Sequence, residues 1–117
     1  MSEITEIRKG RRIIAKARIL KTKFELFSGL RFKRKLKENE GLLFVFDKEV
    51  KSLIDMFFVF FPIDVLFIDK DKEVIEMKEN FRPFSFYAPQ KKSMYVVELP
   101  ADAIRKNSIE IGDELAF

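Results

Sequence analysis

The 117-residue chain has no histidine and no cysteine, and its only amides are Asn39, Asn80, Asn107 and Gln90. Without histidine, Ser–His and Cys–His nucleophiles are excluded, as is imidazole ligation of a metal. Without cysteine there is no thiolate zinc site, no disulfide and no redox couple, so cysteine usage carries no information on compartment. Long apolar runs are missing too. The most apolar stretch, Met56 to Ile63, is interrupted by Pro62 and flanked by Asp55 and Asp64, whereas a membrane span needs about 20 residues. The polar start, Met1 to Arg12, lacks the apolar core of an export signal, so a cytoplasmic location is expected. No cofactor and no metal are expected.

What is present is charge. Charged residues make up 36% of the chain, against about 25% in typical domains, and with so few amides this resembles a thermophile composition. The net charge of +4 conceals a split: residues 1–37 hold 13 Lys/Arg against three acids, and the remainder holds 10 against 16. Such asymmetry suits either a polyanion-binding face or two halves that neutralise each other on folding. The size is that of one domain, 1–117, with residues 1–11 expected as a flexible arm.

Alternation over Ile13–Leu20 predicts a half-buried strand. Thr22 and Glu25 have the spacing of a capping box, and Gly29 stands where the helix it opens would stop. Further strands are expected over Leu42–Phe46, from Leu53 to about Phe60, and over Ile63–Ile68, Val74–Lys78 and Met94–Leu99. Ile63–Ile68 is apolar on both faces, as a covered central strand would be. Asn80–Lys92 reads as a long loop, and Pro100 heads a second short helix over Ala101–Lys106. Short strands at this spacing predict a mainly β protein: an antiparallel sandwich or barrel-like fold with two short helices.

In chain order the sequence then shows Ser28-Gly29-Leu30, Glu40 to Phe46, Met56, Pro62 to Asp69, Val97-Glu98-Leu99-Pro100-Ala101 and Ile111-Gly112-Asp113. With that series, from about Ile13 to Leu115, the chain resembles the uncharacterised domain of unknown function 192 family. The resemblance implies a β-sandwich-like domain and supplies no activity. Relatives read Trp-Met-Lys-Asn-Thr where this chain has Asp55-Met56-Phe57-Phe58-Val59. They read Met-x-Arg where it has Arg31-Phe32-Lys33.

Asp64 is the first candidate for chemistry. By strand parity it shares a face with Leu66 and Ile68, so burial could raise its pKa and make it an acid or a ligand anchor. Its structural alternative is to accept backbone N–H groups and hold the corner at Pro62. With Phe58, Phe84 and Tyr87, Asp64 forms the expected ligand-binding set. The alternation over 56–61 suggests core side chains, or an exposed apolar face that would pair two copies of the chain. The alternative function is nucleic-acid binding: Arg31, Lys33, Arg34, Lys35 and Arg82 would meet phosphates while loop aromatics stack on bases, an affinity that added salt would weaken. The leading expectation is a non-enzymatic binding or interaction module for an unknown ligand.

Overall fold

Most strands form where alternation or uninterrupted apolar sequence predicts them, and the long connections decide how they assemble. In the computed structural model, which describes residues 3–31 and 33–117, the strands are β1 (Ile4–Lys9), β2 (Arg12–Leu20), β3 (Glu40–Val50), β4 (Ile54–Asp55), β5 (Ile63–Ile68), β6 (Val74–Phe81), β7 (Phe86–Tyr87) and β8 (Ser93–Pro100). Helix α1 spans Lys23–Ser28, and α2, Ala103–Lys106, is a single four-residue turn. Only the first of the two expected helices is therefore longer than one turn. Met1 and Ser2 of the expected arm, and Phe32 of the basic loop, lie outside the described residues.

The mainly β class is observed. Six strands form one sheet in the order β1-β2-β3-β8-β5-β6, and β4 and β7 form a separate two-stranded ribbon. The sheet is mixed, because β2 and β3 run parallel while its other pairs are antiparallel. The cause lies in the connection. The capping box forms as the spacing predicts, with Thr22 Oγ1 accepting from Glu25 N at 3.1 Å and Glu25 accepting from Thr22 N at 3.0 Å. The α1 segment and the loop after it give the chain length to cross over, which a parallel pair requires.

The sheet does not close into a barrel. At one end its two edges are bridged by the C-terminal segment. Ala116 exchanges two 2.9 Å backbone hydrogen bonds with Arg8 on β1, and Gly112 and Asp113 bond to Val74 on β6.

Two sequence expectations are corrected. Ile4–Lys9 is not a flexible arm but an edge strand, with Ile7 fully buried and Gly10 making the turn at φ 59°. Its polar residues mark one exposed face of a strand rather than disorder. Likewise the strand from Leu53 to about Phe60 is reduced to Ile54–Asp55. At Phe58 the backbone enters the left-handed region (φ 61°), and Val59 N bonds back to Met56 O at 3.1 Å. That turn buries Met56, Val59 and Phe61 and exposes Phe57, Phe58 and Phe60.

Both sheet faces are covered. One carries Ile7, Leu43, Leu66, Ile68, Val97 and Leu99 against α2 and the C-terminal segment. The other carries Leu42, Phe44, Val65, Phe67 and Val96 beneath the ribbon and the segment after α1. Strand β5 is buried along its whole length, as a central strand covered on both sides should be. Among the described residues no helix is long and apolar enough to cross a membrane.

Candidate functional site

Glu98 lies on β8 between two apolar neighbours, pairing with Leu42 of β3 on one side and Val65 of β5 on the other. Strand parity turns it to the same face as Val96, into the core beneath the ribbon. Its residue exposure is 6%. No described residue donates a hydrogen bond to its carboxyl group, yet among the described residues the sealed, unpaired side-chain atoms are Ser52 Oγ and Ser93 Oγ, so the Glu98 oxygens open onto the space beside them. A carboxyl so placed must be satisfied by whatever enters that space, because losing water without replacement costs about 1–3 kcal/mol, and more for a charge.

The space beside Glu98 is a cavity of about 70 Å³. Leu30, Phe44, Met56 and Val59 supply apolar walls, and Gly29 lets the chain pass close to Phe44. A Cβ at Gly29 would stand 3.4 Å from the Phe44 ring, on a backbone with φ 41°.

At its border stands an ion pair. The Arg31 guanidinium donates to both carboxylate oxygens of Asp55, at 2.5 and 2.7 Å, and to the carbonyl of Phe57 at 2.8 Å. Asp55 also accepts from Phe57 N at 3.2 Å. The hydrogen bond from Arg31 holds the Asp55 carboxyl below its ordinary range, and the same bond raises Arg31. Glu98 moves the other way. Burial pushes it up to about 8, with Arg31 opposing and Asp55 reinforcing the rise. Arg31 and Asp55 are two of the positions at which the chain departs from the motifs it resembles, and the fold makes them partners.

Asp64 is fully buried, and both its oxygens are taken by backbone. Oδ1 accepts from Asn80 N at a bulge in β6, and Oδ2 from Ile104 N in the first turn of α2, each at 2.9 Å. Asp102, at the N-cap of α2, makes no side-chain cap, so Asp64 supplies that bond from across the sheet. The structural alternative describes this residue, although the groups it holds are the β6 bulge and α2 rather than the Pro62 bend.

The expected ligand-binding set is divided. Phe58 and Phe84 meet edge to face at 6.0 Å, and Phe84 and Phe60 at 5.3 Å. With Phe57 and Phe86 they give the ribbon region five phenylalanines that are each about half exposed or more. Tyr87 turns inward instead. Its ring packs on Phe67 and Phe81, and its hydroxyl donates to Glu76 in a short hydrogen bond.

The five cations are divided as well. Arg31 is held by Asp55, and Arg34 makes two 2.9 Å bonds to Glu40. Lys33, Lys35 and Arg82 are exposed. Two broader surface grooves, of about 480 and 390 Å³, involve Lys35 with Arg12 and Lys106, and Lys33 with Lys16 and Arg18.

Glu98 was not among the residues the sequence singled out. The signal was the one that marked Asp64: a carboxylate inside an apolar strand, here Val96-Val97-Glu98-Leu99, at core parity.

Comparison with known proteins places these features in context. A family model described as Uncharacterized ACR, the domain of unknown function 192, matches residues 4–117. A UPF0127 protein of Thermococcus sibiricus, from a thermophile genus, is 35% identical over 109 residues, covering 92% of this chain and 69% of that protein. A Novosphingobium aromaticivorans protein of unknown function has a similar structure, with a TM-score of 0.88 and 21% identity over 97% of this chain and 85% of that one. A Sinorhizobium meliloti structure described as a candidate transcription regulator gives 0.86 and 24%, over 98% and 92%. At these identities the two structures show a shared fold.

Proposed function

The chain belongs to the domain of unknown function 192 family, and from its own cavity we propose that it is a non-enzymatic binding module with Glu98 on the cavity wall. One observation carries the reading: Glu98, a residue 6% exposed, lines a partly open cavity, and no described residue donates a hydrogen bond to its carboxyl group. A ligand group that bonds to Glu98 would recover the interaction that burial removed. The walls combine apolar side chains with Glu98, the Arg31–Asp55 pair and Ser28, which suits a ligand that has a polar end and an apolar body. The five exposed phenylalanines support the interaction half of the reading, as an outer apolar surface continuous with Asp55 and Phe57.

A small set of alcohols, amides, amines and carboxylic acids, followed by amide NMR shifts, tests this. Binders should perturb Gly29, Leu30, Met56 and Glu98, and those perturbations should vanish in Glu98→Leu, which replaces the carboxyl with an apolar side chain. Shifts confined to the basic loop or the phenylalanine surface would defeat the assignment.

A further inference from the structure

We infer that the cavity takes the terminal ammonium of a small linear alkylamine, with Glu98 as its counter-ion. This rests on the proposed binding role and names the ligand class.

Two carboxylates and one guanidinium meet at the cavity: Asp55 from β4, Glu98 from β8, and Arg31 from the segment after α1. Arg31 makes two short bonds to Asp55 and acts on Glu98 through space, so its single charge is shared between two carboxylates. The strand neighbours of Glu98, Leu42 and Val65, carry no charge. With Glu98 ionised the group is one positive charge short. An anionic ligand would meet the charge of Asp55 with Arg31 already engaged, and would gain no counter-charge from Glu98 in either of its forms, so carboxylates and phosphates are disfavoured. An ammonium balances two carboxylates with two cations and brings the N–H donors that Glu98 lacks.

Donor count selects the type of cation. In a cavity of about 70 Å³ a compact ammonium presents three donors, whereas a planar guanidinium presents five in a fixed fork and needs more acceptors than Glu98 offers. The walls formed by Leu30, Phe44, Met56 and Val59 match a methylene chain. Because burial favours the neutral form of Glu98, an entering ammonium should displace its proton. Binding near neutral pH should therefore release a proton to buffer.

The experiment compares butylammonium, butanol and butyrate at equal millimolar concentrations, with amide shifts for location and calorimetry in two buffers of different protonation heat. Butylammonium should bind at the cavity about tenfold or more tightly than butanol, an ordinary margin for a charge-assisted contact. It should release close to one proton per molecule at pH 7, and butyrate should not bind. Glu98→Gln, checked for an unchanged amide fingerprint, should lose the preference for amine over alcohol. Asp55→Asn should weaken the amine independently, by removing the second carboxylate and releasing Arg31. Equal or tighter binding of butanol at the cavity, or amine binding without proton release, would overturn the ammonium assignment and leave the binding site standing. No cavity shift with any of the three probes would overturn both.

Discussion

Asp64 and Glu98 stand on adjacent strands of one sheet, a single register position apart, since Val65 pairs with Glu98 and Asp64 with Leu99. They point to opposite faces, and both are buried. Asp64 accepts a backbone N–H at each oxygen and joins α2 and the β6 bulge to the central strand. Glu98 has no such donor among the described residues and borders a cavity. The difference separates a carboxylate that holds a fold together from one that the fold holds in reserve. Burial alone does not distinguish them; the donors facing each oxygen do.

The largest effect expected from breaking this contrast is at Asp64. Asp64→Ala leaves the buried N–H of Ile104 and the partly buried N–H of Asn80 unpaired and should cost about 2–5 kcal/mol in urea unfolding. Glu98→Ala removes no hydrogen bond from a described residue and should cost less. A loss below about 1 kcal/mol at Asp64 would end its structural assignment.

Next comes the response to pH. The folded pKa of Glu98, about 8, lies above its ordinary 4.5, so the folded protein holds the proton more tightly than the unfolded chain. Stability linked to this group is fully present below about 4.5, and it is lost as pH rises through about 8. The loss should amount to a few kcal/mol, and Glu98→Gln should flatten the curve and be the more stable form at alkaline pH. Asp55 has the opposite sign. Its lowered pKa contributes stability above its ordinary range that is lost on acidification, as its bond to Arg31 is released. Thermal melts from pH 5 to about 9.5 test the first slope, and a flat wild-type curve would contradict it.

The smallest effect sharpens the comparison within the site. Arg31→Met removes the charge that lowers Glu98, so the Glu98 midpoint should rise. Asp55→Asn removes the charge that raises it and releases Arg31, so the midpoint should fall. Carboxyl-carbon NMR of Glu98 reads both, and shifts of the same sign in the two variants would refute the account of the ion pair.

Several of these features were legible beforehand. The parity argument placed Asp64 with Leu66 and Ile68, where it lies. The Thr22–Glu25 spacing specified a capping box that forms, and the unbroken apolar run of β5 specified a strand covered on both faces. Glu98 was equally available to the parity argument. Its meaning was not, because that depends on which donors the rest of the chain brings near. Arg31 reads as a phosphate contact and Asp55 as the acid that flanks an apolar run, and a separation of 24 positions hides their pairing. The turn at Phe58 was hidden for a related reason: six apolar residues in a row fit a strand as well as a turn, and only packing chooses which of them to bury.

By itself, then, the sequence determined the β class, the central strand, the α1 cap and the presence of carboxylates inside apolar strands. These follow from local periodicity and short-range hydrogen bonding, which act within a few residues. Tertiary structure decided that β2 and β3 run parallel, that Arg31 meets Asp55, and that Asp64 is satisfied while Glu98 is left facing a cavity. Those outcomes depend on contacts between distant segments, where packing and burial set which polar groups find partners.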